Sequence, residues 1–196
     1  KRIAMVLQDP KFSLNPVMTI GKQIAEAYRA HGGVDAKSAE RKALDMLAAV
    51  KMRDPDRVFH AYPHELSGGM GQRAMIAMML GTEPDLLIAD EPTSALDVTV
   101  QMQVLAILDD LVTQRGMGLI FVSHDLNLVA SFCDRVLVMY AGRIVEQLRA
   151  SELSQARHPY TQGLLAALPR IDRPVSELPV LKRDPAWATG PTGEGA

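Results

Sequence analysis

Two short apolar runs, Leu86 to Ala89 and Leu119 to Val122, flank a stretch of helical periodicity, and this constrains the fold more than anything else in the chain. Between them Val100, Val104, Leu105, Leu108, Leu111 and Val112 recur at the spacing of one helix face. Strand, helix and strand in that order predict a βαβ unit, with parallel strands joined by a right-handed crossover. Ile3 to Leu7, bounded by charge and by Pro10, reads as a further buried strand, so the expected class is α/β. Open α/β sheets bind ligands at the carboxyl ends of their strands. The first candidates for chemistry are therefore the residues that follow these runs: Gln8, the pair Asp90-Glu91, and His124. If the three strands share one parallel sheet, all of these converge on one edge.

The rest of the chain is mostly helical up to the second run. Ile20, Ile24, Ala27 and Tyr28 share a helix face that Gly32-Gly33 ends, and Ala39, Ala43, Leu44, Leu47 and Val50 mark a second amphipathic helix. Asp54-Pro55 breaks that helix, and Tyr62-Pro63-His64 leads into Ser67-Gly68-Gly69, a turn opening a Met- and Ala-rich helix from Met70 to Leu80. Met75, Met78 and Met79 read as the core side of that helix. Beyond the βαβ unit, Arg135 to Tyr140, the turn Ala141-Gly142-Arg143, and Ile144-Val145 predict a β-hairpin. Composition changes after Ala150: a short helix-compatible piece from His158 to Leu165 precedes a tail punctuated by Pro169, Pro174, Pro179, Pro185 and Pro191. Such a tail is expected to lack a core of its own and to be flexible at its end. The expected organisation is a core over residues 1–148, with a helical subdomain at about 13–80, and an extension over 149–196.

Composition narrows the function classes. A net charge of −2 offers no electrostatic reason to expect a nucleic-acid partner. Cys133 is the single cysteine, which excludes an intrachain disulfide, a thiolate zinc cage and an iron–sulfur set. Lys1-Arg2 before Ile3 to Leu7 mimics a signal peptide, but the apolar run stops at Gln8-Asp9-Pro10 and is too short. No run approaches the roughly 20 apolar residues a bilayer span needs, so a membrane role must go through a partner. The chain starts at Lys1 directly in a strand-like run, which is expected of a cut inside a domain.

Several motifs carry chemistry, and each also has a plain structural reading. Asp90 and Glu91 at a strand end suit Mg²⁺ and water activation, though an acid there is often a turn residue or helix cap. Ser67-Gly68-Gly69 opens a helix whose exposed amides and hydroxyl form an anion site, and the same residues can simply cap it. Asp97 stands where it can cap the helix that follows, and His124 can be a satisfied polar residue at a strand end. Two decoys are set aside. Gly21-Lys22 imitates the end of a phosphate loop, but Pro16 stands where its first glycine belongs and Gln23 follows the lysine. His60 and His64 have metal-ligand spacing, but Pro63 lies between them and no third ligand is evident.

Taken in order, Leu66-Ser67-Gly68-Gly69-Met70-Gly71-Gln72-Arg73, Leu86 to Glu91, Ser94-Ala95-Leu96-Asp97 and Phe121-Val122-Ser123-His124-Asp125 closely resemble the motifs of the ATP-binding cassette ATPases. The resemblance covers about residues 1–170 and implies a P-loop NTPase fold acting on ATP with Mg²⁺. It implies that Asp90 holds Mg²⁺ through water and that Glu91 polarises the attacking water. His124 resembles the switch histidine that contacts the γ-phosphate, and Gln8, with Ser13-Leu14-Asn15-Pro16 behind it, resembles the Q-loop that senses Mg²⁺ and nucleotide. Ser67, Gly68 and Gly69 resemble the signature loop, which reaches the γ-phosphate held by the opposing subunit; Asp97 resembles the D-loop, which communicates across the dimer. Two departures stand out. Met70 replaces the usual fifth-position glutamine, and no phosphate-cradling Walker A loop occurs in these residues, so this segment alone is expected to be inactive.

Gln8 to Pro16, Leu66 to Arg73 and His158-Pro159-Tyr160-Thr161 with Leu164-Leu165 resemble the dipeptide, oligopeptide and nickel importer branch. That branch implies a second ATPase subunit, two membrane permeases and an extracytoplasmic binding protein, with this subunit peripheral to the cytoplasmic face of the membrane. Three other readings are nickel or another small solute as the cargo, an inactive remnant without a phosphate loop, and a cassette ATPase of DNA repair. The last fails because only a small helical segment without sustained heptads separates Gln8 from Ser67, where those enzymes insert a long coiled coil.

Overall fold

The computed structural model describes residues 2–94, 96–168 and 184–188, with no account of the Lys11, Phe12 and Ala188 side chains. Two compact units divide the chain, Lys1–His124 and Asp125–Ala196. Pro169, Pro174, Pro179 and Pro191 of the tail lie outside the described residues, as does Ala95 of the Ser94–Asp97 motif.

In the first unit β1 (Ile3–Val6) is followed by a short α1 (Pro10–Ser13) and four longer or shorter helices, α2 (Ile20–Gly32), α3 (Ala36–Ala49), α4 (Pro55–His60) and α5 (Gly68–Leu80). Then come β2 (Leu86–Asp90), α6 (Val98–Arg115) and β3 (Gly118–Val122). The boundaries follow from local chemistry. Asp35 and Asp54 cap α3 and α4 by accepting from Ser38 N–H and Arg57 N–H, while Gly33 and Gly116 end α2 and α6 in the left-handed conformation. The helices α2, α3, α4 and α5 pack on one another around Ile20, Ile24, Leu47, Val50, Val58, Met75, Ile76 and Leu80, all fully buried. Met46 and Ile107 join the buried faces without having been marked by the helical pattern, and Met78 and Met79 are only half-buried.

The three strands form one parallel sheet in the order β1-β2-β3, in a register pairing Val6 with Ala89 and Ala89 with Phe121. The βαβ expectation is met, since α6 is the crossover between β2 and β3. The strands are not buried on both faces, however, as the unbroken apolar runs suggested. Ala4, Val6, Leu87 and Ala89 are buried on the face that α5 covers, whereas Ile3, Met5, Ile120 and Val122 are exposed on the other. Continuous apolar runs mark strands covered on both faces; among the described residues only one face is covered.

The second unit holds α7 (Leu126–Phe132), a hairpin of β4 (Arg135–Tyr140) and β5 (Arg143–Arg149), and α8 (Pro159–Ala166). Ala141 and Gly142 both take positive φ, 48° and 78°, as a two-residue turn matching strand twist requires. His158 caps α8, its Nδ1 accepting from Tyr160 N–H, with Pro159 in the first turn where its missing N–H costs nothing. Tyr160 packs 4.7 Å from Tyr140, and Trp187 closes on both rings.

Candidate functional site

The parallel sheet brings the carboxyl ends of its three strands side by side, and the side chains that follow them meet there. Gln8 stands two residues beyond β1, Glu91 directly beyond β2 and His124 two beyond β3. Glu91 is the hub. His124 Nδ1 lies 3.0 Å from Glu91 Oε1, and because an ionised carboxylate only accepts, the imidazole donates from Nδ1. Gln8 Nε2 donates to the other oxygen, Oε2, at 3.1 Å. Both oxygens of Glu91 are thus oriented by side chains from neighbouring strands. His124 remains 74% exposed and Glu91 27%, so the trio faces solvent on one side.

Local backbone explains why Glu91 can serve two partners. Its N–H donates to Val122 O at 3.0 Å, prolonging the sheet ladder by one residue past Asp90. Its φ is then +43°, a left-handed conformation that a residue with a Cβ rarely adopts and that costs on the order of 1–3 kcal/mol. The turn that follows, Glu91-Pro92-Thr93-Ser94, closes with Ser94 N–H donating to Glu91 O at 3.2 Å. Pro92 suits the second position of such a turn. The chain therefore reverses sharply at the point where the carboxylate must leave the sheet edge.

Asp90 ends β2 opposite Val122. Gln8, Asp90 and Glu91 supply hard oxygen donors, and no group of three or more His, Cys, Asp or Glu side chains assembles among the described residues. That set suits Mg²⁺, which takes one or two protein oxygens and completes its shell with phosphate and water. Gln8 and Asp90 are the residues that would hold it.

The Ser67-Gly68-Gly69 turn opens α5. Ser67 occupies the cap position of α5, but its hydroxyl makes no capping bond, and Ser67 and Gly68 are exposed. Gly69 is buried, and a Cβ there would lie 2.4 Å from Val100 Cγ1 on α6. Asp97 caps α6, accepting from Val100 N–H at 3.0 Å, so the plain structural reading of that residue is realised. Two residues given no role from the sequence stand out. Arg73 donates from Nε to Gly69 O and from Nη1 to Lys51 O, tying the start of α5 to the end of α3, and burial pushes its guanidinium below the usual range. Ser94 bonds both Gln8 and the Glu91 carbonyl. In the sequence it stood only as the first residue of the Ser94-Ala95-Leu96-Asp97 motif, three residues after Glu91. As for the decoys, Gly21 lies in α2 with Phe59 packed over it, and His64 stacks on Tyr62.

The chain is similar to known proteins along most of its length. The family described as ABC transporter matches residues 1–94. A protein of Sinorhizobium fredii named "Probable peptide ABC transporter ATP-binding protein" is 55% identical over 86% of this chain and 50% of its own length. A Brucella melitensis protein whose name gives peptide import and ATP binding is 53% identical over 86% of this chain and 50% of its own. The chain thus spans about half the length of the curated relatives it matches. Among solved structures, cbiO1 of Clostridium perfringens, part of the ABC transporter complex cbiONQ, superposes with a TM-score of 0.69 at 26% identity, over 78% of this chain and 59% of that one. The dimeric ATP-binding cassette MJ0796, bound to ADP and Pi after hydrolysis, gives 0.67 at 26% identity, over 76% and 63%.

Proposed function

We propose that this chain, which belongs to the ATP-binding cassette transporter family, is the part of an importer ATPase that carries the water-activating site and the surface for a second subunit. One observation carries the reading: Gln8, Glu91 and His124, from the ends of three adjacent parallel strands, are joined in one hydrogen-bonded group around a single carboxylate. Glu91 is the base that takes a proton from the attacking water. His124 orients it through Oε1, and Gln8 holds Oε2. Asp90, through water, and Gln8 would hold Mg²⁺, which would supply positive charge against the ATP phosphates. A closely placed base of this kind contributes about 10²–10⁴-fold to a rate.

Ser67, Gly68 and Gly69 present the amino end of α5, a 13-residue helix, and we assign them to the γ-phosphate of ATP held on a second ATPase subunit. Asp97, at the start of α6, takes part in the same interface. The functional division follows residues 1–148 as ATPase core, with a helical subdomain at about 13–80, and 149–196 as the extension. Among the described residues no helix is long and apolar enough to cross a membrane, and we assign transport itself to permease partners. We place the docking surface for a permease between Met18 and Arg57, where Met18, Lys22, Glu26, Arg29 and Glu40 line a groove of about 340 Å³. A loop that meets nucleotide at Gln8 and a permease through the adjoining helices gives ATP-driven closure different contacts in the two transport states.

The cargo we assign is a short peptide, on the names of the relatives in Sinorhizobium and Brucella and on the His158–Leu165 segment. The assembly comprises two ATPase subunits, two permeases and an extracytoplasmic binding protein, with this subunit on the cytoplasmic face. Deleting the gene and measuring uptake of labelled di- and oligopeptides, nickel and oligosaccharides tests the assignment. Loss of peptide uptake alone is expected. Unchanged peptide uptake with loss of nickel or sugar uptake overturns the cargo and leaves the ATPase reading in place.

A further inference from the structure

We propose that Ser94 is a positioning residue that sets the orientation of the Gln8 amide and so presents its oxygen to the metal; the inference rests on Gln8 being a metal-side donor, as proposed above. The argument is one of hydrogen-bond polarity. Ser94 Oγ donates its single proton to Glu91 O at 3.1 Å. With that proton spent, the hydroxyl meets Gln8 only as an acceptor, and Gln8 Nε2 donates to it at 3.2 Å. The other N–H of the same amide group donates to Glu91 Oε2 at 3.1 Å. A primary amide has two N–H groups, and both are committed here. The remaining lone-pair atom, Oε1, is left to face away from Glu91 and Ser94.

This arrangement matters because a free glutamine amide turns over at little cost, offering N–H or C=O to a ligand. Glu91 Oε2 alone fixes one N–H but leaves the amide free to swing about that bond. Ser94 supplies the second point. It is itself held by the turn, where Ser94 N–H donates to the same Glu91 carbonyl at 3.2 Å. Glu91 thereby determines Gln8 twice, through its carboxylate and, by way of Ser94, through its backbone. A cation needs an oxygen, and an inward-facing NH₂ would repel it.

The test uses the full-length subunit, with Mn²⁺ as the metal probe and a non-hydrolysable ATP analogue, read by Mn²⁺ electron paramagnetic resonance at equilibrium. Ser94→Ala should weaken Mn²⁺ binding in the ternary complex about 3- to 10-fold, the size of one lost orienting hydrogen bond. Analogue affinity in EDTA and the unfolding midpoint should not move. Ser94 is exposed, leaving room for a methyl group, so Ser94→Thr, which keeps the hydroxyl, should restore wild-type Mn²⁺ affinity. On a Gln8→Ala background Ser94→Ala should add nothing, because it acts through Gln8. Wild-type Mn²⁺ affinity in Ser94→Ala overturns the proposal. So does a Ser94→Thr protein as weak as Ser94→Ala, an additive double variant, or an equal loss of analogue affinity in EDTA. If Gln8→Ala itself leaves Mn²⁺ affinity unchanged, the failure lies in the metal-side role of Gln8, and the inference falls with it.

Discussion

Replacing Gly69 with alanine separates packing from the proposed phosphate binding at the Ser67-Gly68-Gly69 turn. Gly69 is the second residue of α5 and is buried against α6. On propensity alone, alanine should stabilise a helix by up to about 1 kcal/mol relative to glycine, less near an end. The added Cβ, however, falls 2.4 Å from Val100 Cγ1, more than an ångström inside ordinary carbon–carbon contact. Val100 is β-branched and helical, so its χ1 has one strongly preferred rotamer and little freedom to withdraw. Relief requires an off-rotamer valine or a shift of α5 against α6, an overpacking cost of about 1–3 kcal/mol. The net expectation is a loss of about 1–2 kcal/mol, a factor of roughly 5–30 in the folding equilibrium. Urea unfolding of the full-length subunit, followed by far-ultraviolet circular dichroism, measures it. Val100→Ala removes the clashing methyl, so the double variant should be more stable than the sum of the singles by about 1 kcal/mol or more. Stability unchanged or raised by Gly69→Ala, or strict additivity with Val100→Ala, refutes the packing argument. If stability is restored in the double variant while ATP-dependent dimerisation is not, the glycine also serves the phosphate site.

Further expectations concern the site and the second unit. Glu91→Gln in the full-length subunit should retain ATP binding, lower turnover by at least about 10²-fold and accumulate as an ATP-bound dimer on size exclusion; near wild-type turnover would remove Glu91 as the base. Ser67→Arg should abolish that dimer by placing bulk at an exposed subunit surface, and a normal dimer yield would contradict the interface. The Glu146 carboxyl lies below the ordinary range: burial works against its charge, but the Thr161 hydroxyl beside it and the N–H groups of Arg157 and His158 outweigh burial. A depressed carboxyl pKa adds stability above its unfolded value of about 4.3 that fades as pH falls through the folded one. Protection of α8 amides from hydrogen exchange should therefore weaken below about pH 4 and be less acid-sensitive in Glu146→Gln; equal acid sensitivity would refute the link. Trp187 is the sole tryptophan and packs on Tyr140 and Tyr160, so Tyr160→Ala should red-shift its emission and raise its quenching by acrylamide, and an unaltered spectrum would disprove that contact.

The α/β class, the βαβ unit and the hairpin were legible in the sequence because they depend on short-range periodicity and local turn chemistry. The signals at Leu86–Ala89, at the α6 stripe and at Ala141-Gly142 are complete within a few residues of themselves. The convergence of Gln8, Glu91 and His124 was also legible, since parallel strands put their carboxyl ends on one edge whatever the side chains are. Only the tertiary structure decided what those residues do to one another. The bonds from Gln8 and His124 to opposite oxygens of Glu91 depend on neighbouring-strand register and on a left-handed Glu91, neither of which has a sequence signature. The part played by Ser94 needed the direction of each hydrogen bond around one turn. The burial of Gly69 against Val100 needed the packing of two helices, and the exposed Ile3, Met5, Ile120 and Val122 needed the covering of each sheet face. Periodicity records which residues avoid water, because that preference belongs to each side chain alone. Which groups share a proton or a contact is a property of pairs, and pairs distant in the chain meet only when the fold is complete.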